Sequence, residues 1–251
     1  VNCKHLVAYR CLDDDFDTDF GYSGTVQYAL GVKDPAISDN PTVSTSEGFE
    51  SDNDPVGTNQ SLAPKTSARF YNVTQIGAFR CSSNTTGTGV QPTATGFRRG
   101  ARLRRNTDLK IYNSILMNNW RGLFLDGALA QGNVDQDSLV FRNNIIAGDF
   151  STTLTGTYAG KSIAAEDAAT RTRLFNVNYS NDSLNTCSLL TNAWDFINPD
   201  YRPNTAGAGT LAVSNLQATP DLLTYIDIDN TQFTPSQAYD FIVNVVEGEN
   251  V

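Results

Sequence analysis

The chain has 251 residues, enough for one elongated β domain or two compact domains, and its formal net charge is −9. This charge excludes nucleic acids and anionic membrane surfaces as general partners. No run approaches the ~20 uninterrupted apolar residues of a transmembrane helix. The chain opens at Val1-Asn2-Cys3, a strand-like start without a signal peptide, so we expect that residues before Val1 were removed or belong to a further part of the protein.

Short β-rich runs recur along the chain and predict a stack of strands. Asn72, Asn113 and Asn143 stand at comparable points of three of these runs, each followed by apolar residues. Such recurrence favours a solenoid, in which each coil buries its inner side chains against the next coil and asparagines at equivalent corners form a hydrogen-bonded ladder. A β-sandwich is the alternative, because it also has short strands at regular intervals. The predicted strands lie near residues 4–10, 26–32, 70–76, 110–116, 122–125 and 139–146.

The first predicted strand is followed by an acidic run. Its aspartates alternate, so in an extended chain they would leave one face and repel one another unless a cation lies among them. A second acidic cluster repeats this spacing, and calcium is the hard cation that tolerates such irregular oxygen ligands. Two solvated acidic loops are the alternative. The sequence therefore predicts a structural Ca²⁺ with ligands drawn from Asp13, Asp15, Asp17, Asp19, Glu50, Asp52 and Asp54.

Long polar loops separate the strands, at residues 38–67 and 82–96, and two helices are predicted further on. The first helix spans residues 162–175 and is capped by Ser162. The second lies near residues 235–246, where it would cover one end of the stack.

Cysteine usage leaves the redox state open. Cys3 and Cys11 would lie ~26 Å apart along one straight strand, so we expect both to be unpaired unless the chain turns back. Cys81 and Cys187 complete the set, and an oxidised pair involving Cys81 stays open. With no CxxC spacing and His5 as the single histidine, a zinc site is not expected.

Several stretches carry a family resemblance: residues 6–24, 48–54, 104–107 and 122–127, and residues 198–207, which are similar to a closing coil. Together they resemble bacterial cell-surface or secreted right-handed parallel β-helix proteins, many of which are lipoproteins. The resemblance covers most of residues 4–207. It implies an all-β solenoid with one or two short helices and an extracellular or outer-surface location.

In that family earlier coils precede the position of Val1, so the resemblance implies that this chain is the C-terminal portion of a longer helix. We therefore expect β-helix coils over residues 1–210 and a cap segment over residues 211–251. The cap segment departs from the family pattern.

The sequence favours a non-catalytic module that binds a glycan or serves as a subunit of an envelope assembly, with a partner covering the N-terminal coil. Exposed aromatic residues would meet sugar rings, and the candidates are Tyr9, Tyr22, Tyr28, Trp120 and Trp194.

The alternative is a calcium-dependent polysaccharide lyase, in which the cation neutralises a uronate carboxylate and an arginine abstracts the neighbouring proton. Arg98, Arg99 and Arg102 are the candidate bases in a basic stretch. The chain contains no Gly-His-Gly and no Arg-Ile-Lys motif, and His5 lies in an apolar strand, where packing is its expected role.

Overall fold

The structure, a computed structural model, describes residues 1–81, 89–90, 92–148, 168–184, 187 and 189–204. Strands predominate in this part of the chain, and two short helices interrupt them. The elements in chain order are β1 (Cys3–Tyr9), β2 (Phe16–Thr18), β3 (Thr25–Val32), β4 (Phe49–Ser51), β5 (Arg69–Ile76), β6 (Arg80–Cys81), β7 (Gly89–Val90), β8 (Arg99–Arg104), β9 (Lys110–Tyr112), β10 (Ile115–Met117), β11 (Arg121–Asp126), α1 (Ala128–Asp135), β12 (Val140–Arg142), β13 (Ile145–Ala147), α2 (Ala168–Leu174), β14 (Asp182–Leu184), β15 (Leu190–Asn192) and β16 (Asp200–Pro203).

Two parallel sheets form the body of the molecule. The first has the order β1-β3-β5-β10-β13-β14, with β9 beside β5 and β12 beside β9. The second has the order β11-β8-β4-β2. Every strand pair of these two sheets is parallel, whereas the small pairs β6–β7 and β15–β16 are antiparallel. This arrangement overturns the sandwich alternative, which requires antiparallel hairpins between the same runs.

A corner ladder bends the strands of the first sheet. The corner residues of neighbouring strands lie side by side, and they are His5, Tyr28, Asn72 and Asn113. All four have a left-handed φ, between 51° and 57°. The asparagine ladder predicted from the sequence is confirmed, because Asn113 Nδ2 donates to Asn72 Oδ1 at 2.6 Å. The ladder begins with two rings, since His5 and Tyr28 stack with centroids 5.4 Å apart.

The six predicted strand regions are confirmed, with one refinement. Residues 110–116 and 139–146 each form two short strands, β9 with β10 and β12 with β13, because left-handed corners at Asn113 and Asn143 interrupt them. Three strands of the second sheet, β2, β4 and β8, were not predicted, because charged residues interrupt the apolar pattern of their sequences.

Phenylalanines join the two sheets inside the molecule. Phe16 of β2 and Phe49 of β4 have ring centroids 5.0 Å apart, and both contact Phe70 of β5 at 5.8 and 5.1 Å. All three side chains are buried. This contact packs the short strands β2 and β4 against the first sheet. The same two strands carry acidic side chains on their outer face.

The remaining predictions have mixed outcomes. Cys3 and Cys11 are free, as expected, and Cys187 is disulfide-bonded. Of the predicted helix at residues 162–175, the described part is helical as α2, and its beginning lies outside the described residues. The helix near residues 235–246 and the cap segment 211–251 also lie outside them. In the described part of the chain, no helix has the length and apolar character needed to cross a membrane.

Candidate cation site and its surroundings

The second sheet brings two acidic side chains together on its outer face. Asp17 of β2 lies directly beside Glu50 of β4 in the parallel register. Because side chains alternate along a strand, the neighbours Phe16, Thr18 and Phe49 point inward and are buried. Burial of these neighbours therefore forces the two carboxylates onto the same outer surface.

Hydroxyl groups on the inner face fix this register. Thr18 Oγ1 donates to Ser51 Oγ at 2.8 Å, and Ser51 Oγ lies 2.6 Å from Thr107 Oγ1. All three side chains are buried. A one-residue slip of β2 would break this chain of bonds and turn Asp17 into the core.

Asp14 completes a group of three carboxylates. It lies in the bend before β2, where its Oδ1 accepts the backbone N–H of Glu47. One carboxylate oxygen each of Asp14, Asp17 and Glu50 lies within 4.8 Å of the others. We call these three residues the carboxylate trio. Two full charges at this separation repel by ~3–4 kcal/mol at an effective dielectric constant of ~20.

The pKa values of the trio are raised mainly by burial, with nearby acidic groups adding to the rise. Burial raises the pKa of Asp14 to about 8. The charges of Glu50 and Glu47 raise this pKa further, whereas the hydrogen bond from the backbone N–H of Glu47 lowers it. Burial raises the pKa of Glu50 to about 7, with Arg104 opposing it. Burial, reinforced by neighbouring aspartates, raises the pKa of Asp17 to about 6. Without a cation the trio therefore retains protons near neutral pH.

Arginines of β8 border the trio on one side. Glu50 lies between Arg102 Nη1 at 3.5 Å and Arg104 Nη2 at 2.6 Å. Each arginine also has a second acidic partner, since Arg102 Nη2 lies 2.6 Å from Asp126 Oδ2 and Arg104 Nε lies 2.6 Å from Asp52 Oδ1. The arginines are thus shared, and they neutralise only part of the negative charge on this face.

The geometry of the trio fits a hard divalent cation. Calcium takes ~6–8 oxygen ligands in flexible geometry, and three carboxylates at one surface supply part of that number. The remaining positions would go to water or to oxygens of a bound ligand. Raised carboxyl pKa values are expected of such a site without its cation, because partly buried carboxylates near other acidic groups are then less stable in their charged form.

Asp15 was predicted to be a ligand from the alternation of the acidic run, but in the structure it has other partners. Its Oδ1 lies 3.0 Å from Lys33 Nζ, and both side chains are at most 1% exposed. Gln75 Nε2 donates to the other oxygen at 3.2 Å. The chain bends through residues 13–15 and becomes a strand only at Phe16, so the acidic run does not share one face.

Four further predicted ligands lie around the trio. Asp52 is held by Arg104 and by Arg105 Nη1 at 2.9 Å. Asp54 accepts the backbone N–H groups of the loop that follows it, including that of Val56 at 3.2 Å. The pKa of Asp13 and that of Asp19 are both raised, in each case mainly by burial. Sequence reasoning missed Asp14 as a trio member, because it assumed alternation through the whole run.

The other arginines of the basic stretch contact acidic and aromatic side chains. Arg99 Nη1 lies 2.8 Å from the buried Glu47 Oε1, and its guanidinium also covers Phe124 at 5.1 Å from the ring centroid. Arg98 lies over Trp120 at 5.1 Å, and Arg121 lies over the same ring at 5.0 Å. These arginines therefore have structural partners.

The five aromatic candidates have different surroundings. Tyr28 is buried in the corner ladder, and Tyr22 Oη donates to Val1 O at 3.1 Å. Tyr9 Oη donates to Phe196 O at 3.4 Å. Trp194 Nε1 donates to Gly77 O at 3.3 Å, and Trp120 is half-buried. Trp120, at the edge of the second sheet, is the candidate nearest in sequence to the arginines of β8 and β11.

The parallel sheets, the corner ladder and the charged outer face define a parallel β-helix protein. The family model described as "Pectate-lyase like beta helix domain" matches residues 1–194, and the chain belongs to this family. It is therefore a carbohydrate-related β-helix protein, which confirms the β-helix part of the resemblance. Comparisons with curated proteins and with solved structures each find no match.

Proposed function

We propose that this chain is a non-catalytic, calcium-stabilised β-helix module that binds a glycan through the outer face of its second sheet. The observation that carries the proposal is the carboxylate trio of Asp14, Asp17 and Glu50, within 4.8 Å of one another. Calcium held by these three groups retains open positions, and hydroxyl or carboxylate oxygens of a sugar chain are suitable ligands for them.

The surroundings of the trio support binding rather than proton abstraction. Arg102, the candidate base nearest to the trio, is paired with Glu50 and with Asp126. These two ion pairs give Arg102 a structural role on this face. Arg98 and Arg99 lie over aromatic rings.

Calorimetric titration of calcium tests the site. We expect the wild-type protein to bind calcium and Asp17→Asn and Glu50→Gln to lose that binding, because an amide replaces a charged ligand. Asp182→Asn, an exposed aspartate of β14, is the matched control and should bind as the wild type does. The absence of calcium binding in the wild type would contradict the proposal.

A calcium-dependent polysaccharide lyase, or a related carbohydrate-active enzyme, is the second candidate. One observation favours it: the pKa of Asp14 is raised to about 8 and that of Glu50 to about 7, values that suit groups transferring protons near neutral pH. Incubation with acidic polysaccharides separates the two functions, because a lyase produces an unsaturated product that absorbs ultraviolet light. Sustained, calcium-dependent absorbance that Arg102→Gln abolishes would establish the lyase and refute the non-catalytic module.

We also propose that the coils wind in the right-handed sense, which parallel crossover connections nearly always adopt.

A location at the bacterial cell surface or outside the cell is consistent with a carbohydrate-related fold and with an acidic surface. A glycan or an envelope protein that covers β1 would complete the module, since Val7 of that strand is 56% exposed. Immunolabelling of intact cells tests the location.

A further inference from the structure

A lysine and an aspartate meet in the interior of the molecule. Lys33, the residue after β3, has its Nζ 3.0 Å from Oδ1 of Asp15, in the bend before β2. The two side chains are 1% and 0% exposed. Lys33 Nζ also donates to the backbone oxygen of Asp13, so two oxygens hold the amine in place. The desolvation of two buried ions opposes such a pair, and a neutral bond between the same groups removes that cost.

A glutamine side chain is fixed against the second oxygen of this carboxylate. Gln75 Nε2 donates to Asp15 Oδ2 at 3.2 Å, and Gln75 Oε1 accepts from Asn119 Nδ2 at 2.7 Å. Asn119 Nδ2 also donates to the backbone oxygen of Met117 at 3.1 Å. Because a backbone oxygen only accepts, it fixes which end of Asn119 faces Gln75, and thereby which end of Gln75 faces Asp15. The donor therefore has one defined orientation towards Oδ2.

Two glycines make room for this buried polar group. A Cβ atom added at Gly31 would lie 2.8 Å from Asp15 Oδ2, and one added at Gly48 would lie 2.5 Å from Gln75 Cδ. Side-chain carbons do not approach other atoms so closely, so any larger residue at either position would displace the carboxylate or the amide. The backbone is thus matched to the placement of Asp15 and Gln75.

We propose that Lys33 and Asp15 condense to an isopeptide bond, a covalent amide between the two side chains. A proton first moves from the Lys33 ammonium to Asp15 Oδ1, which gives a neutral amine beside a protonated carboxyl group. Nζ then attacks Cγ, and the C–N bond forms as the electron pair of the C=O bond moves onto Oδ2. The Gln75 N–H is already directed at Oδ2 and stabilises the negative charge that develops there.

The step balances without any other reactant. A second proton passes from Nζ to Oδ1, the C=O bond to Oδ2 re-forms, and the C–Oδ1 bond breaks with the release of one water. An ammonium and a carboxylate have then become an amide and a water, so no oxidant, reductant or external base is consumed. The net charge of the chain does not change, because one positive and one negative charge disappear together.

Burial and proximity set this pair apart from an ordinary surface ion pair. Groups held 3.0 Å apart react without a further loss of translational freedom, and the amide no longer has the cost of two desolvated charges. Lys65 and Asp108 are as close, at 2.8 Å, but their side chains are 30% and 16% exposed. Water stabilises both ions there, so we expect that pair to remain ionic. The cross-link of Lys33 to Asp15 ties the bend before β2 to the segment after β3, as a disulfide would but without dependence on the redox state.

Intact-mass spectrometry of the denatured protein tests the proposal. After incubation of the folded protein to constant mass, the wild type should be lighter than its sequence by one water, and Lys33→Met should have the full mass of its sequence. Lys65→Met is the matched control, because it removes a lysine that is also ion-paired, and it should still lose one water. Proteolysis and fragmentation should yield a branched peptide that joins Lys33 to Asp15.

A second variant tests the role of the glutamine. Gln75→Leu removes the donor to Oδ2 and should slow cross-linking by ~100-fold, as the loss of one oxyanion donor does in enzymes. The rate is followed by mass from the moment when protein isolated in unfolded form is allowed to fold. An equal rate in Gln75→Leu would overturn the mechanism in which Gln75 stabilises the charge on Oδ2.

Three results would overturn the cross-link itself: a full mass in the wild type, a water loss that Lys33→Met retains, or a loss that mild alkali reverses. The last result would identify a cyclic imide of an aspartate, which also forms by loss of water but reopens in alkali, whereas an amide survives. The wild-type mass alone decides the first point, so the test does not depend on the folding of Lys33→Met. A mass is also independent of calcium and of any glycan.

Discussion

Replacement of Asp14 by asparagine should stabilise the protein when calcium is absent. Asp14 is the trio member with the pKa raised most, to about 8. Its Oδ1 accepts the N–H of Glu47, and an asparagine oxygen can accept the same bond. Asp14→Asn therefore removes a titrating charge and retains both the shape of the side chain and its hydrogen bond.

The direction follows from the linkage between protons and folding. The pKa of Asp14 rises from 3.8 to about 8 on folding, so the folded state binds the proton more tightly than the unfolded state does. The stabilisation that this proton confers is complete below the unfolded pKa and is lost as the pH rises through the folded pKa. The limiting slope is ~1.4 kcal/mol per pH unit. Between pH 4 and pH 7 the ceiling is thus ~4 kcal/mol, and solvent screening at this partly exposed site reduces the expected effect to ~1–2 kcal/mol.

The assay is urea unfolding in excess chelator at both pH values. We expect Asp14→Asn to match the wild type near pH 4 and to exceed its free energy of unfolding by ~1–2 kcal/mol at pH 7. Asp182→Asn is the matched control, because its carboxylate also accepts a backbone N–H, that of Ser183, at 2.7 Å. A change within ~0.5 kcal/mol is expected there. With saturating calcium the order at pH 7 should reverse, since the wild type then gains a ligand that the variant holds poorly.

The reasoning would be refuted in either of two ways. If Asp14→Asn changed stability equally at both pH values, the effect would come from packing rather than from charge. If it destabilised the protein at pH 7 in chelator, the crowding of the carboxylate trio would not oppose folding.

Three other changes test the remaining structure. Lys33→Met should lower the free energy of unfolding by ~3–5 kcal/mol, because it leaves the Asp15 carboxylate buried without its partner, and urea unfolding that shows a loss below ~1 kcal/mol would contradict the buried ion pair. Asn113→Ala and Asn113→Gly both remove the bond to Asn72, but alanine should cost ~1 kcal/mol more in the same assay because φ is 51° at this corner; equal losses would argue against the left-handed corner. Calcium at 100-fold its Kd should add ~2.7 kcal/mol of stability to the wild type, and Asp17→Asn should remove most of the shift in Tm; an unchanged wild-type Tm would leave a solvated acidic loop.

The strands of the first sheet could be predicted because they are buried and apolar. Residues 26–32 and 70–76 form near-continuous buried runs, as expected for parallel strands covered on both faces. Three of the four strands of the second sheet, β2, β4 and β8, escaped prediction because they are short or charged. In β8 the buried Ala101 and Leu103 alternate with Arg102 and Arg104, so a strand with one solvated face was interpreted as a basic stretch.

The site could be predicted only where alternation holds. Asp17 and Glu50 lie within strands, and the parallel register sets them side by side on one surface. Asp14 and Asp15 lie before β2, where the chain bends, so their directions depend on tertiary contacts. Nothing local to Asp15 indicates that Lys33, on a later segment, will neutralise it inside the molecule.

The charges on the outer face of the second sheet are the physical reason for proposing a cation from outside the chain. Three arginines contact the acidic groups there, and each is already paired, so the carboxylate trio together with Asp52, Asp126 and these arginines has a formal charge of −2 when every carboxyl group is ionised. Asp19 adds to this negative charge, whereas the buried Asp15 is matched by Lys33. Protons bound to Asp14 and Glu50 can offset the outer deficit near neutral pH, and a divalent cation offsets it without leaving a proton on any ligand. At the proposed site protons and calcium would therefore compete for the same three carboxylates, and the cation-bound state would retain open positions for sugar oxygens. The groups that contribute to this count are Asp14, Asp17, Glu50, Asp52 and Asp126, with Arg102, Arg104 and Arg105.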